Sequence, residues 1–212
     1  MPYFIIPGVT IFGLLVGQLV NYLADVLPVK RKIAAPTCKY CQTDIRVKSY
    51  LIMRRCDNCR KPPSLRRWIL LVVFPFIFIY LWYSPHDRLG FWLSVLLISY
   101  LVLVGVIDIE HKLILFVTSI AGAIIGIIIG IILHGTIPTL LGFVSGFATM
   151  YLLYLLGAGF MILVSKIRKQ PVDEIALGFG DVSLSAVLGA ILGLPGIFLG
   201  LFFTVLLGGI FS

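Results

Sequence analysis

Residues 113–133 run for twenty-one positions without one charged side chain, and the polar residues among them are Thr118 and Ser119. About 20 apolar residues in a helix match the ~30 Å hydrocarbon core of a bilayer, so this stretch predicts a transmembrane helix. Further apolar runs at about 3–26, 68–83, 91–107, 139–164, 181–194 and 196–211 bring the expected number of spans to seven. The last two are divided by Leu194-Pro195, where the missing N–H suits a turn better than a helix interior. Composition agrees: 60% of the 212 residues are apolar and 12% charged, whereas soluble domains carry about a quarter charged. The expected fold class is therefore all-α, a polytopic membrane protein, and a large soluble enzyme domain is excluded.

The net charge of +8 is concentrated rather than spread. Twelve of the seventeen Lys and Arg residues fall between Pro28 and Trp68. In a membrane chain such placement records sidedness before it suggests a nucleic-acid footprint, and no nucleic-acid partner is expected. Retention of positive loops on the cytoplasmic side puts this loop inside and the N-terminus outside. Alternation from that one assignment leaves Arg88 as the single basic residue outside, with Lys112, Lys166, Arg168 and Lys169 inside. The chain is thus expected to comprise a first transmembrane helix (1–27), a basic cytoplasmic loop (28–67) and a transmembrane core (68–212). The first span lacks the basic start and the cleavage site of a removable signal peptide, and is expected to stay. Trp68, Trp82, Trp92 and Tyr3 fall near the predicted interfaces, as boundary anchors do. The pair Gly126 and Gly130 has the spacing that lets helices approach closely, but a single match is expected from the frequency of Gly in membrane helices.

All four cysteines lie in the basic loop, as Cys38-x-x-Cys41 and Cys56-x-x-Cys59 with fourteen residues between the pairs. Two intervening residues let one tight turn aim both thiols at a single ion, and two such turns complete a tetrahedral four-sulfur shell. A reducing cytoplasm disfavours the alternative of disulfides. The reading is a closed structural Zn2+ site that folds a loop too small to build its own core.

Carboxylates at the membrane edge are costly and point to function. Asp25, beside Asn21, is expected to reach the interface, and Asp87 belongs to an external turn. Asp108 follows the unbroken apolar run 101–107, and Asp181 follows Gly178-Phe179-Gly180; both lie at cytoplasmic ends of predicted spans. Two carboxylates held close together ionise one at a time, so one can act as a base on water while the other donates a proton to a scissile carbonyl. Gly178 and Gly180 can take backbone angles closed to other residues and leave room for a substrate strand beside Asp181. A purely structural alternative has Asp181 capping the helix that follows.

Four features in order, residues 13–21 with Gly13, Gly17, Gln18 and Asn21, the paired Cys-x-x-Cys motifs, the Ile107-Asp108 step and Gly178-Phe179-Gly180-Asp181, resemble the type IV prepilin peptidase family. These are the leader peptidases of type IV pili and type II secretion, related to other Gly-x-Gly-Asp membrane aspartyl proteases. The resemblance implies that Asp108 and Asp181 are a catalytic dyad on the cytoplasmic face of the bacterial inner membrane. It implies as partners the lipid bilayer and a prepilin or pseudopilin precursor, whose leader is cut off. Many relatives also methylate the new amino terminus with S-adenosylmethionine, an activity tied to the cysteine loop. This chain departs from the family pattern at three places: it lacks the Pro-Asp or Pro-Asn step after the first Asp, Ser183 stands where a Lys is common, and no acid opens the helix after the second cysteine pair. The chain ends at Ser212, where relatives usually continue into an eighth span. Two other readings use the same residues: an ion-translocating protein, or a non-catalytic one whose zinc loop docks a cytoplasmic partner.

Overall fold

The computed structural model describes residues 5–168 and 178–211. Tyr3, Lys169 and Ser212 lie outside the described residues. Among those described the regular structure is helical, with one isolated bridge between Thr37 and Asp44. The helices are α1 (Ile6–Lys30), α2 (Val47–Leu51), α3 (Leu65–Tyr83), α4 (Gly90–His111), α5 (Phe116–His134), α6 (Thr136–Arg168), α7 (Phe179–Leu192) and α8 (Gly196–Phe211). Five of them, α1, α3, α4, α5 and α6, are long and apolar enough to cross a membrane. The remaining apolar helices, α7 with 14 residues and α8 with 16, are shorter than a full crossing.

Helix ends differ from the apolar runs in a consistent way. α1 continues through Pro28 to Lys30 and stops at Arg31, whose left-handed φ of 51° turns the chain. α3 begins at Leu65 and so includes Arg66 and Arg67, and α4 continues past Ile107 to His111, ending at Lys112 with φ 48°. Hydropathy marks where a helix can sit in hydrocarbon. Lys, Arg and Glu are good helix formers, so the helix itself runs on into the polar boundary.

The chain divides into two compact units, Met1–Leu113 and Ile114–Ser212. In the first, α1 packs on α3 and α4. Gly13 and Gly17 make this contact close. A Cβ at Gly13 would stand 2.8 Å from the Pro75 Cα, and one at Gly17 would stand 3.2 Å from the Leu70 carbonyl oxygen. Val9, Val20, Leu70, Phe74, Phe78, Leu81 and Val95 form the buried core between these helices.

In the second unit α7 packs against both α5 and α6. Its small residues are what allow this. Gly126 and Gly130 of α5, and Gly142 and Gly146 of α6, all meet the α7 backbone; a Cβ at Gly130 would run into the Ala190 carbonyl, one at Gly142 into that of Gly189. The Gly126/Gly130 spacing is therefore a real helix contact, correcting the expectation drawn from composition. What the single motif hid is the matching pair on α6 and the short, small-residue helix that both pairs receive. We expect Gly142→Ala to cost about 1–3 kcal/mol by overpacking, while Gly159→Ala, where a Cβ meets nothing, is neutral. Thermal unfolding in detergent checks this, with a drop of roughly 2–10 °C expected for the first variant alone.

Candidate active site and candidate metal centre

The four cysteine sulfurs, Cys38, Cys41, Cys56 and Cys59, lie within 4.8 Å of one another. The two pairs are built by the same turn used twice. Cys38 donates its N–H to the Thr43 carbonyl at 2.9 Å and accepts the Gln42 N–H at 2.9 Å; Cys56 does the same with Lys61 at 3.2 Å and Arg60 at 2.9 Å. Gln42 and Arg60, each four residues after its first cysteine, take left-handed φ angles of 55° and 53°. The tight turn expected from each Cys-x-x-Cys is thus present, and the halves face each other.

Cys38 to Cys59 and Cys41 to Cys56 are both 3.6 Å between sulfurs, too long for a disulfide of ~2.05 Å. A tetrahedral shell with metal–sulfur bonds of ~2.3 Å sets its sulfurs about 3.8 Å apart, so these four fit around one ion. The thiols titrate unequally. Hydrogen bonds from the Thr43 side chain and backbone lower Cys41 to about 6, and backbone contacts at Cys59 and Asn58 lower Cys56. At Cys59 the Lys61 backbone lowers the value, but burial and three neighbouring thiols outweigh it and raise it to about 11. Four thiols this close cannot all ionise without a cation among them, which suits the cluster to holding one.

Behind the cysteine loop, in the same unit, stands an ion-pair network that the sequence reading did not single out. Arg66 at the start of α3 bridges Asp25 of α1, at 2.5 Å, and Glu110 in the last turn of α4. Glu110 also takes Lys39, which lies between Cys38 and Cys41, at 3.3 Å. Tyr50 of α2 donates its hydroxyl to Asp25, and burial, with Asp25 beside it, pushes that phenol well above its ordinary range. The buried Arg67 donates to the Tyr50 carbonyl at 2.7 Å, its guanidinium 3.6 Å from the centre of the Tyr50 ring. Gln18 and Asn21 complete the frame through their amide groups, which donate to the carbonyls of Tyr50, Leu51 and Arg67 at 3.2 Å.

The available signal was the polar spacing Gln18, Asn21, Asp25 on an otherwise apolar helix, which places the three on one face. We expect Arg66→Gln to destabilise the protein by about 2–3 kcal/mol, below the cost of breaking a fully buried pair because Asp25 and Glu110 keep 24% and 20% of their side-chain surface in solvent. Arg66→Gln/Glu110→Gln should recover part of the loss, since it removes a largely buried carboxylate left with only the exposed Lys39 as its counter-charge; unfolding midpoints of the three proteins read this directly.

The two acids expected to react are placed differently. Asp108 is exposed in the last turn of α4, where its backbone carbonyl accepts the Lys112 N–H at 2.8 Å. Asp181 is the third residue of α7, and its Oδ2 accepts the Gly178 N–H at 3.1 Å. It therefore serves the helix end from inside the first turn, one arm of a capping box, rather than from the cap position. The other carboxylate oxygen takes no part in that bond.

The glycines before Asp181 act through size and not through unusual backbone angles. Gly178 has an ordinary φ of −81°, and Gly180 is helical. A Cβ at Gly180 would stand 2.6 Å from the Ile114 Cβ, whereas around Gly178 the nearest atom is the Asp181 Oδ2 at 3.7 Å. So Gly180 is needed for packing, and Gly178 leaves an open surface beside the carboxylate. Ser183, one turn further, bonds to Ser119 of α5 at 3.2 Å. Asp108 belongs to the first unit and Asp181 to the second.

The sequence profile of the type IV leader peptidase family matches residues 95–212, more than half of the chain, and takes in both Asp108 and Asp181. The match begins within α4, after the cysteine loop. Neither the curated proteins nor the solved structures gave a match.

Proposed function

Since the chain belongs to the type IV leader peptidase family, we propose that it is a membrane aspartic endopeptidase in which Asp108 and Asp181 act as a pair. The observation that carries this is that both acids fall inside the family match, each within one turn of the end of an apolar helix. The ionised carboxylate takes a proton from a water molecule as the water oxygen attacks the scissile carbonyl carbon. The protonated carboxyl donates to the carbonyl oxygen, and collapse of the tetrahedral intermediate returns a proton to the leaving amine. Open space beside Gly178 would admit the substrate backbone.

The substrate class we infer is a prepilin or pseudopilin precursor, with a polar leader and an apolar helix whose junction lies at membrane-surface depth, matching acids in the last turn of α4 (Asp108) and the first turn of α7 (Asp181). The concentration of twelve basic residues between Pro28 and Trp68 supports a cytoplasmic position for that junction, an outside N-terminus and residence in the bacterial inner membrane. The cysteine cluster is read as a structural Zn2+ site, because four sulfurs leave no open coordination position for chemistry. Methylation of the product by S-adenosylmethionine is not part of this proposal; transfer of a labelled methyl group to cleaved product would add it. The test is to mix detergent-solubilised protein with a prepilin-like precursor and follow its size on a gel. Cleavage at the leader junction is expected, and an uncut precursor would sink the reading in favour of ion translocation or a non-catalytic role.

A further inference from the structure

Between α1, α2 and the start of α3 runs an apolar groove of about 680 Å³. Its walls are Leu14, Leu15 and Leu19 of α1, Trp68 and Leu71 of α3, and Val47, Leu51, Ile52 and Met53 of α2 and the turn after it. The loop is held there firmly: the Gln18 amide and the Arg67 guanidinium both donate to the Tyr50 carbonyl. Yet Val47, Leu51 and Ile52 stay exposed at 42%, 48% and 67%. A polar loop that offers apolar side chains to the flank of two membrane-spanning helices has been placed at the interface, where Trp68 also sits.

Two further observations say what fills the groove. Arg46, Lys48 and Arg55 lie in or beside this wall segment in the chain, all exposed, and none forms an ion pair among the described residues. Gln18, 8% exposed, lines the groove with its amide oxygen Oε1 buried and lacking a hydrogen-bond partner. Cations call for a phosphate, the groove for an acyl chain, and the orphaned acceptor for a hydroxyl donor. We propose that this groove is a binding site for an anionic glycerophospholipid with a hydroxylated headgroup, holding the loop against the membrane. The inference rests on the membrane character of the helices and is independent of the peptidase reading.

The test uses the full chain in detergent, with phosphatidylglycerol and phosphatidylcholine as probes and retained lipid counted by native mass spectrometry. Phosphatidylglycerol should be retained at least tenfold better. Arg46→Gln/Lys48→Gln, at exposed positions, should weaken it about 25-fold, at roughly fivefold per cation near the surface. Leu19→Trp, which fills the groove, should abolish retention of it. Equal retention of the two lipids, an unchanged affinity in both variants, or displacement of phosphatidylglycerol by a precursor's apolar helix without preference for lipid charge would each overturn the proposal.

Discussion

If the proposed dyad is right, Asp108→Asn and Asp181→Asn should each lower the rate of precursor cleavage by roughly 10³-fold or more, toward the upper end of what general acid and base groups contribute. The amide is nearly the same size as the carboxyl group, so each helix end keeps its shape; in Asp181→Asn the amide oxygen can still accept the Gly178 N–H, as the Asp181 carboxylate does at 3.1 Å. What an amide cannot do is take the proton of the attacking water or share one proton with a partner acid. On the proposed mechanism the two carboxyl groups work as a unit, so Asp108→Asn/Asp181→Asn should be scarcely slower than either single variant. The wild-type rate should also fall on both sides of an optimum, since one group must be charged and the other not. Asp87→Asn, exposed in the turn between α3 and α4, serves as the control and should cleave normally. Gel assays under single-turnover conditions give these ratios, and full activity in both dyad variants would remove Asp108 and Asp181 from the chemistry.

How much of this could be read beforehand depends on the kind of signal. The all-α class and the five long crossings were legible because the bilayer forces length and apolarity onto each crossing, and those are written in runs such as residues 113–133; the two further expected spans are helices too short for a full crossing. The metal cluster was legible because a four-sulfur shell needs its ligands in close pairs. Both features are local. The Arg66 bridge joins residues 41 and 44 positions away, and neither Asp25 nor Glu110 carries a pattern that announces the other. Gly142 facing Gly189 is hidden for the same reason: the small residues are visible, but which helix they receive is decided by the fold of the second unit. At Asp181 the sequence offered a choice between catalyst and helix cap, and the structure gives the acid a capping bond through one oxygen only. A residue can do both, so the choice was less sharp than the motif made it look.

The cysteine cluster, read as a structural zinc site, yields the other large effect. Cys38→Ser/Cys56→Ser should abolish bound zinc, measured by elemental analysis of the purified protein, and the two cysteine turns, residues 37–44 and 54–63, should become sensitive to trypsin while residues 47–53 and the long helices stay protected. The reason is how little else holds the two turns. Their own regular structure is one bridge between Thr37 and Asp44, and of their cysteines only Cys38 and Cys56 are buried, whereas α2 between them is tied to α1 and α3 through Tyr50. Structural zinc binds finger-sized peptides with about 10–16 kcal/mol near neutral pH, far more than turns this small gain from packing. A chelator should have the same effect as the substitutions, more readily as pH falls, because protons compete with the ion for thiolates. The damage has a defined limit: Lys39 loses its hold on Glu110, but Arg66 keeps its bridge between Asp25 and Glu110 without any help from the metal. The first unit should therefore stay folded after zinc is lost. If chelation instead lowered the unfolding midpoint of the whole protein as far as Arg66→Gln does, the loop would be part of the helical framework and not an attachment to it.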